Sequence, residues 1–477
     1  MAWACTKGSE HAKPSDPSTV SDAATPDDSA TPRDASEPDD AATPAPQAAL
    51  LLKVSENRRY LLDGRGRPFL IAGDAPQALL ANLSVDDARE YFASRKAHGF
   101  NTLWINLLCD IETAGRSDAS TLDAIQPFTA WQADGKYDLG SPNPAYFERV
   151  DTILKAAAEQ EQVVFLDPIE TRGWLATLRS NGLDTAFEYG RFLGTRYAGV
   201  DNIVWLSGNN FQSWRTSEDD ALVFAVARGI READARHLQT IMLDYPVSSS
   251  SDNATWAGST QLDLDAVFSY PASFIQTLVS YNRTPTRPVY LAETTYENEN
   301  LDLPPVQSVR VVRSLAYWSI LSGATGHFYG HQLVWKFAED WRDHLDSPGA
   351  QHVKYLQELL LPRPWHELVP DQTNAVVTAG LGGTCQDIPA KECDRAVAAR
   401  TGDGRLVVAY MPSVRELNVD MTQLNGTVTA RWYDPTSGAY TDSAESPLPN
   451  TGTHAFTPPA ENTEGVGDWV LVLEADE

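Results

Sequence analysis

Eight short apolar runs in this chain end on groups that can move protons or hold hydroxyls. The groups are Asp74; Asn106 with Asp110; Asp167 with Glu170; Asn209 with Asn210; Asp244 with Tyr245; Tyr270; Glu293; and His327 with Tyr329 and His331. Any one of them could be no more than the polar stop of a strand. Carboxylates, imidazoles, phenols and amides recurring at the same place in every run point instead to one shared rim. Two carboxyl groups flanking a sugar suffice to hydrolyse a glycosidic bond, one as acid/base and the other as nucleophile or base. That chemistry needs no metal and no cofactor, and none is expected here: the sequence carries no HExxH, no P-loop and no EF-hand loop. The GxSxG elbow of a serine hydrolase is missing too. Trp104, Trp174, Trp205, Trp214, Trp318 and Trp335 lie in or near the same segments, and aromatic faces stack on sugar rings.

The elements that must position these groups alternate. After "FLIAGD" comes "SVDDAREYFASRKAHG" (84–99), with Ser84 as N-cap, Asp87 three residues on and Gly99 at the C-terminal end, which predicts a helix. "NTLWINLLCD" (101–110) is a strand. Residues 144–160 place Phe147, Val150, Ile153, Leu154 and Ala157 on one helical face. Strands follow at 163–170, 202–210, 239–246, 266–271, 288–293 and 326–331, with helices over 184–198, 217–235 and 305–322. Near-continuous apolar strands joined by helices imply a parallel sheet. Eight such units over about 250–300 residues fit a (β/α)8 barrel, whose active site lies at the C-terminal ends of its strands. An open doubly wound sheet fits less well, because no strand runs into a GxGxxG turn. Beyond about Arg363 the pattern changes to "AVVTAGLG", "RLVVAYMP", "VTARWYDP" and "DWVLVLE", short strands between turns, which predicts an antiparallel β-sandwich. The expected domains are a linker over 1–47, a barrel over 48–362 and a sandwich over 363–477.

Length and composition agree with two domains: 477 residues, 42% hydrophobic, 13 Trp. The formal net charge of -28, spread along the chain, opposes binding to phosphate backbones, so nucleic acid is not an expected partner. No apolar stretch reaches the roughly twenty residues of a membrane span. Residues 14–46 are Ala, Asp, Pro, Ser and Thr with almost no large apolar side chain, a composition that predicts a disordered acidic linker. "AWAC" (2–5) is similar to the small-residue box before a bacterial lipoprotein cysteine. On that reading Cys5 is a lipid anchor and the protein sits outside the cell or at its surface; the other reading is an arbitrary N-terminus before a linker. Cys385 and Cys393 flank the loop "CQDIPAKEC" and are expected to form a disulfide in an oxidising compartment. Cys109 is expected to be a buried thiol, and the protein a monomer.

Four stretches together resemble the apiosidase-like glycoside hydrolases, a bacterial barrel family: "RYLLDGRGRPFLIAGDAPQALLANLSVDDAREYFASRKAHGFNTLWINLL", "NIVWLSGNNF", "RPVYLAETTYE" and "RSLAYWSILSGATGHFYGHQLVW". The tail from "LPRPWHELVPDQ" to "DWVLVLE" is similar to the collagen-binding-type sandwich that follows this barrel. The resemblance implies that Glu293, in "AETTYE", is the catalytic nucleophile and Glu297 a supporting group. It also implies an acid/base at the end of the fourth strand, in a Gly-Asn-Asp or Gly-Gly-Asp segment. This chain reads Gly208-Asn209-Asn210, and an amide has no proton to give near neutral pH. Three readings follow. Another rim carboxyl, such as Asp167, Glu170 or Asp244, acts as the acid; or only substrates with good leaving groups are cleaved; or the barrel is a catalytically impaired carbohydrate-binding surface protein. Asp74, Asn106, Asp167, Glu170, Asn209, Asp244, Tyr245, Tyr270, Glu297, His327, Tyr329, His331 and Trp335 are the expected contacts to a poly- or oligosaccharide.

Overall fold

The computed structural model describes residues 49–299 and 301–476. The linker over 1–47 and the anchor residue Cys5 lie outside them. A small three-stranded sheet, with strands at Lys53–Val54, Leu61–Leu62 and Pro68–Phe69, leads into the barrel. The barrel strands are β1 (Ile71–Asp74), β2 (Thr102–Asn106), β3 (Val163–Asp167), β4 (Ile203–Phe211), β5 (Gln239–Leu243), β6 (Asp265–Ser269), β7 (Val289–Glu293) and β8 (Ala324–Tyr329). Their order in the sheet is β5-β4-β3-β2-β1-β8-β7-β6, parallel throughout, and the short strand Val247–Ser249 runs antiparallel beside β6. The ring closes between β5 and β6. There Asp263 N–H donates to Gln239 O (2.9 Å) and Thr240 Oγ1 to Leu264 O (3.0 Å). Ser250 Oγ donates to Ile241 O (2.6 Å) and accepts from Ala266 N–H (2.8 Å).

Every strand is buried on both faces, which is why its sequence is almost continuously apolar. Trp104, Phe165, Leu206, Met242, Tyr290 and Phe328 belong to the buried cluster inside the ring, and Phe165 packs its ring 5.1 Å from Phe328 and 5.3 Å from Tyr290. Each such side chain contributes roughly 1.5–3 kcal/mol by leaving water. Gly73 makes room for this packing: a Cβ there would lie 2.4 Å from the Phe328 ring. The alternate residues, such as Leu103, Ile105, Val164, Leu166 and Ile241, face the outer helices.

The long helices are α1 (Val85–Ala97), α2 (Pro144–Glu159), α3 (Thr171–Tyr197), α4 (Ser217–Ala233), α5 (Ser273–Tyr281), α6 (Pro305–Ile320) and α7 (Pro348–Leu360). Ser84 and Asp87 form the reciprocal capping box of α1. Three differences from expectation stand out. Helix α3 begins at Thr171 rather than near 184, running through a kink at Gly182 (φ 74°). Helices α5 and α7 were not foreseen. No helix among the described residues is long and apolar enough to cross a membrane.

The C-terminal region is all-β apart from short turns of 3-10 helix. A larger sheet centres on Leu406–Met411, Trp469–Ala475 and Thr427–Tyr433, and a three-stranded sheet holds Val377–Ala379, Leu417–Asp420 and Thr453–Phe456. Val407, Ala409, Leu417, Val419, Leu471 and Phe456 fill the space between them. Val408, Tyr410, Val470 and Val472 share a second cluster with Leu315, Tyr317 and Trp318 of α6 and Leu356 of α7, so the larger sheet packs directly on the barrel. Cys385 and Cys393 are disulfide-bonded, with Cα atoms 5.3 Å apart, and Cys109 is a buried free thiol.

Candidate active site

Two backbone irregularities build the mouth of the barrel. On β4 the pairing with β5 slips between Ser207 and Phe211, and Gly208 (φ 108°), Asn209 (φ 42°) and Asn210 (φ 60°) are all left-handed in succession. A Cβ at Gly208 would meet Met242 O at 2.5 Å, so only glycine fits. Asparagine tolerates the left-handed region better than most residues. The bulge turns the Asn209 and Asn210 side chains to the same cavity. On β7, Leu291 pairs with Val267 but Glu293 pairs with Phe268, so β7 carries one extra residue at its end. Plain alternation would keep Glu293 on the outward face of Val289 and Leu291. The extra residue brings it round to the interior, opposite Phe268.

The cavity, about 190 Å³, is lined by Glu293, Asn209, Asn210, Tyr270 and Trp335, together with Gln77, Glu112, Thr113, Arg172, Tyr296, Glu299 and Gln332. A chain of hydrogen bonds crosses it. Asn209 Nδ2 donates to Gln77 Oε1 (3.2 Å), and Gln77 Nε2 donates to the Tyr296 hydroxyl (2.8 Å). That leaves the Tyr296 proton for the neighbouring Glu293 carboxyl, whose charged form it favours. Glu293 Oε2 is buried with no partner. Burial pushes the Glu293 carboxyl up to about 8; the Tyr296 hydroxyl opposes the rise, the Glu299 charge adds to it and Arg172 opposes it. Glu299 is held at both oxygens, by the Tyr270 hydroxyl (3.0 Å) and by Tyr296 N–H (2.9 Å).

Of the expected contacts, Asn209, Tyr270 and Trp335 line this cavity with Glu293 and Asn210; the rest do not. Asp74 points outward to α1, where it accepts from Arg95 Nε (2.5 Å), the Tyr91 hydroxyl and its neighbour Ala75 N–H (2.8 Å). It ties strand to helix. Alternation explains His327 and Tyr329 as well: Phe328 is inside the ring, so its neighbours face the helices. His327 borders a small internal cavity with Arg313 and His352, and burial pulls its imidazole down to about 4. Tyr329 donates to Glu297 Oε2 (2.5 Å), which also accepts from Ser347 Oγ (2.9 Å) and Gly349 N–H (3.0 Å). Glu297 therefore pins the β7 loop to the N-terminus of α7. His331 stacks on His344 at 4.7 Å and accepts from Leu333 N–H.

Asn106 and Asp167 are wholly buried and off the cavity wall. Glu170 caps α3, accepting from Arg172 N–H (2.8 Å) and Gly173 N–H (3.0 Å), and burial pushes it up to about 8. Asp244 accepts from Trp214 Nε1 (3.1 Å) and pairs with Arg215 (3.3 Å). Tyr245 is half exposed and packs edge-on against Tyr270 at 5.0 Å without lining the cavity. None of Asp167, Glu170 and Asp244 is placed as the missing acid.

The residues missed in the sequence follow the strand ends: Gln77 after β1, Glu112 and Thr113 after β2, Arg172 in the first turn of α3, Tyr296 and Glu299 after β7, and Gln332 after β8. Of these, Gln77, Tyr296 and Gln332 had a signal, lying inside the quoted segments that carry the resemblance. A larger cavity of about 560 Å³ lies against the 297–309 segment, walled by Leu301, Leu303, Val306 and Val309. It shares only Glu299 with the first and contains neither Glu293 nor Asn210. Among the described residues, no group of three or more His, Cys, Asp or Glu is placed to hold a metal.

Comparison with known proteins agrees with this architecture. The family model described as "Apiosidase-like, catalytic domain" matches residues 55–367, and a collagen-binding domain model matches 384–474. A solved structure titled "Glycoside hydrolase" is 25% identical, with a TM-score of 0.72, over 90% of this chain and 98% of its own. A glycoside hydrolase family 5 structure from Bacteroides vulgatus is 24% identical, with a TM-score of 0.73, over 90% and 95%, and shows the same fold. No curated protein matches the chain.

Proposed function

The chain belongs to the apiosidase-like catalytic-domain family and is a glycosidase, and from the geometry of its barrel mouth we propose that it cleaves side chains from a poly- or oligosaccharide with Glu293 as the nucleophile. The observation that carries this reading is the β7 bulge. It sets one carboxyl, with Oε2 buried and unpartnered, into a cavity lined by amides, phenols and one indole. Asn209, Gln332 and Arg172 offer hydrogen-bond donors to sugar hydroxyls, and Trp335 offers a stacking face. Such a nucleophile attacks as the anion, so the Tyr296 hydroxyl and Arg172, which favour the charged form, support the role. The Cys385–Cys393 disulfide supports a site of action outside the reducing cytosol.

Glycan turnover by the full chain, screened on plant pectic and hemicellulosic oligosaccharides, tests the proposal, with Glu293→Gln as control. Release by the wild type that falls on the order of 10³-fold or more in the variant is the expected result. Asn210 favours a second reading, a carbohydrate-binding barrel without turnover. Equal glycan binding by both proteins with no release from either would establish that reading instead.

A further inference from the structure

The position of the family acid is held by Asn210, which lines the cavity but has no proton to transfer. Three carboxyl groups line the same cavity: Glu293, Glu299 and Glu112. Glu293 is taken as the nucleophile. Glu299 spends both oxygens, on the Tyr270 hydroxyl and on Tyr296 N–H, so it is fixed as an acceptor. Glu112 is exposed, and among the described residues its carboxyl makes no hydrogen bond or ion pair. Its backbone, by contrast, is held. Glu112 lies in the single turn Ile111–Thr113, capped by Asp110, whose Oδ1 accepts Glu112 N–H at 2.9 Å. That turn is wedged against the start of α3: a Cβ on Gly173 would come within 2.1 Å of Asp110 Oδ1. A backbone held by its cap thus places Glu112 on the cavity wall. It enters from the β2 side, three strands round the ring from β7.

We infer that Glu112 is the acid/base that replaces the missing group at 210, an inference that rests on the glycosidase reading above. In the first step the Glu293 carboxylate bonds to the anomeric carbon while the bond to the glycosidic oxygen breaks. The Glu112 carboxyl gives that oxygen its proton. In the second, the Glu112 carboxylate takes a proton from water as the water oxygen bonds to the anomeric carbon and Glu293 departs. The sugar is released with its configuration retained.

The test compares leaving groups. Unactivated oligosaccharides and the 2,4-dinitrophenyl glycosides of the sugar they release are assayed with wild type, Glu112→Gln and Glu112→Asp. A positioned acid contributes on the order of 10²–10⁴-fold. Glu112→Gln should lose about that much on oligosaccharides, and at least tenfold less on dinitrophenyl glycosides, whose leaving group needs no proton. Azide should accelerate Glu112→Gln and yield a glycosyl azide, and Glu112→Asp should recover part of the oligosaccharide rate. Equal losses on both substrates, or no loss on either, would overturn the assignment. If the wild type itself turns over nothing, the glycosidase reading fails, and this one with it.

Discussion

At Glu293 two forces oppose each other. Burial favours the neutral acid and carries its titration up to about 8, while Tyr296 and Arg172 favour the anion. Burial prevails in the free protein, so at neutral pH most molecules hold the Glu293 carboxyl protonated. The kcat/KM profile reports groups of the free enzyme, and on dinitrophenyl glycosides, whose leaving group needs no proton, it should climb with pH and level off above about 8. A profile that instead falls through that region on those substrates would contradict Glu293 acting as the anion. The same imbalance acts on stability. The unfolded chain ionises at the ordinary 4.5 and the folded one near 8. Stability present below about 4.5 is therefore lost as pH rises toward 8, on the order of 1.4 kcal/mol per pH unit. Glu293→Gln removes that dependence. Its thermal midpoint should exceed that of wild type by a margin that grows from pH 5 to pH 9, and a constant margin would contradict the account.

The elements that matter most are irregular ones. The three left-handed residues ending β4 give up ladder bonds in order to place two amides. The seam between β5 and β6 depends on hydroxyls rather than a full ladder. Ser250 bridges Ile241 O and Ala266 N–H from a fully buried position. Ser250→Ala would leave both backbone groups unpaired in the core, which costs about 1–3 kcal/mol. Urea unfolding should show that loss, whereas a change at an exposed serine such as Ser117 should be within about 0.5 kcal/mol.

Across the whole molecule, barrel and sandwich share one apolar interface and one buried ionic group. Arg313 of α6 binds Asp468 of the sandwich through Nε and Nη2, both at 2.8 Å, and the Tyr410 hydroxyl donates to the same carboxylate at 3.0 Å. Tyr317 stacks on Tyr410 at 4.7 Å. Removing one partner of such a pair strands the other charge, a loss of about 3–5 kcal/mol. Arg313→Ala should lower stability by that order. In calorimetry it should also split a single unfolding transition into separate barrel and sandwich steps. A unitary transition at an unchanged midpoint would mean that the apolar contacts alone join the two domains.

Much of the architecture was written in local pattern. Apolar strands at regular spacing, the Ser84–Asp87 cap and the turn-rich tail specify which elements form and in what order, because each depends on neighbours a few residues away. Glu293 was legible for the same reason, through the short segment around it. What a strand-end residue faces was not legible. Asp74, His327 and Tyr329 look like rim groups in sequence, yet they point outward, because alternation from Gly73 and Phe328 fixes their side of the sheet. Glu293 breaks alternation in the opposite sense, through one extra residue that exists only relative to β6. Gln77, Arg172 and Glu112 follow three different strands, β1, β3 and β2, and no spacing links them to Glu293. Their meeting is a property of the closed ring: only when β1 pairs with β8 do the loops converge over one cavity, and long-range pairing of that kind leaves no local signature.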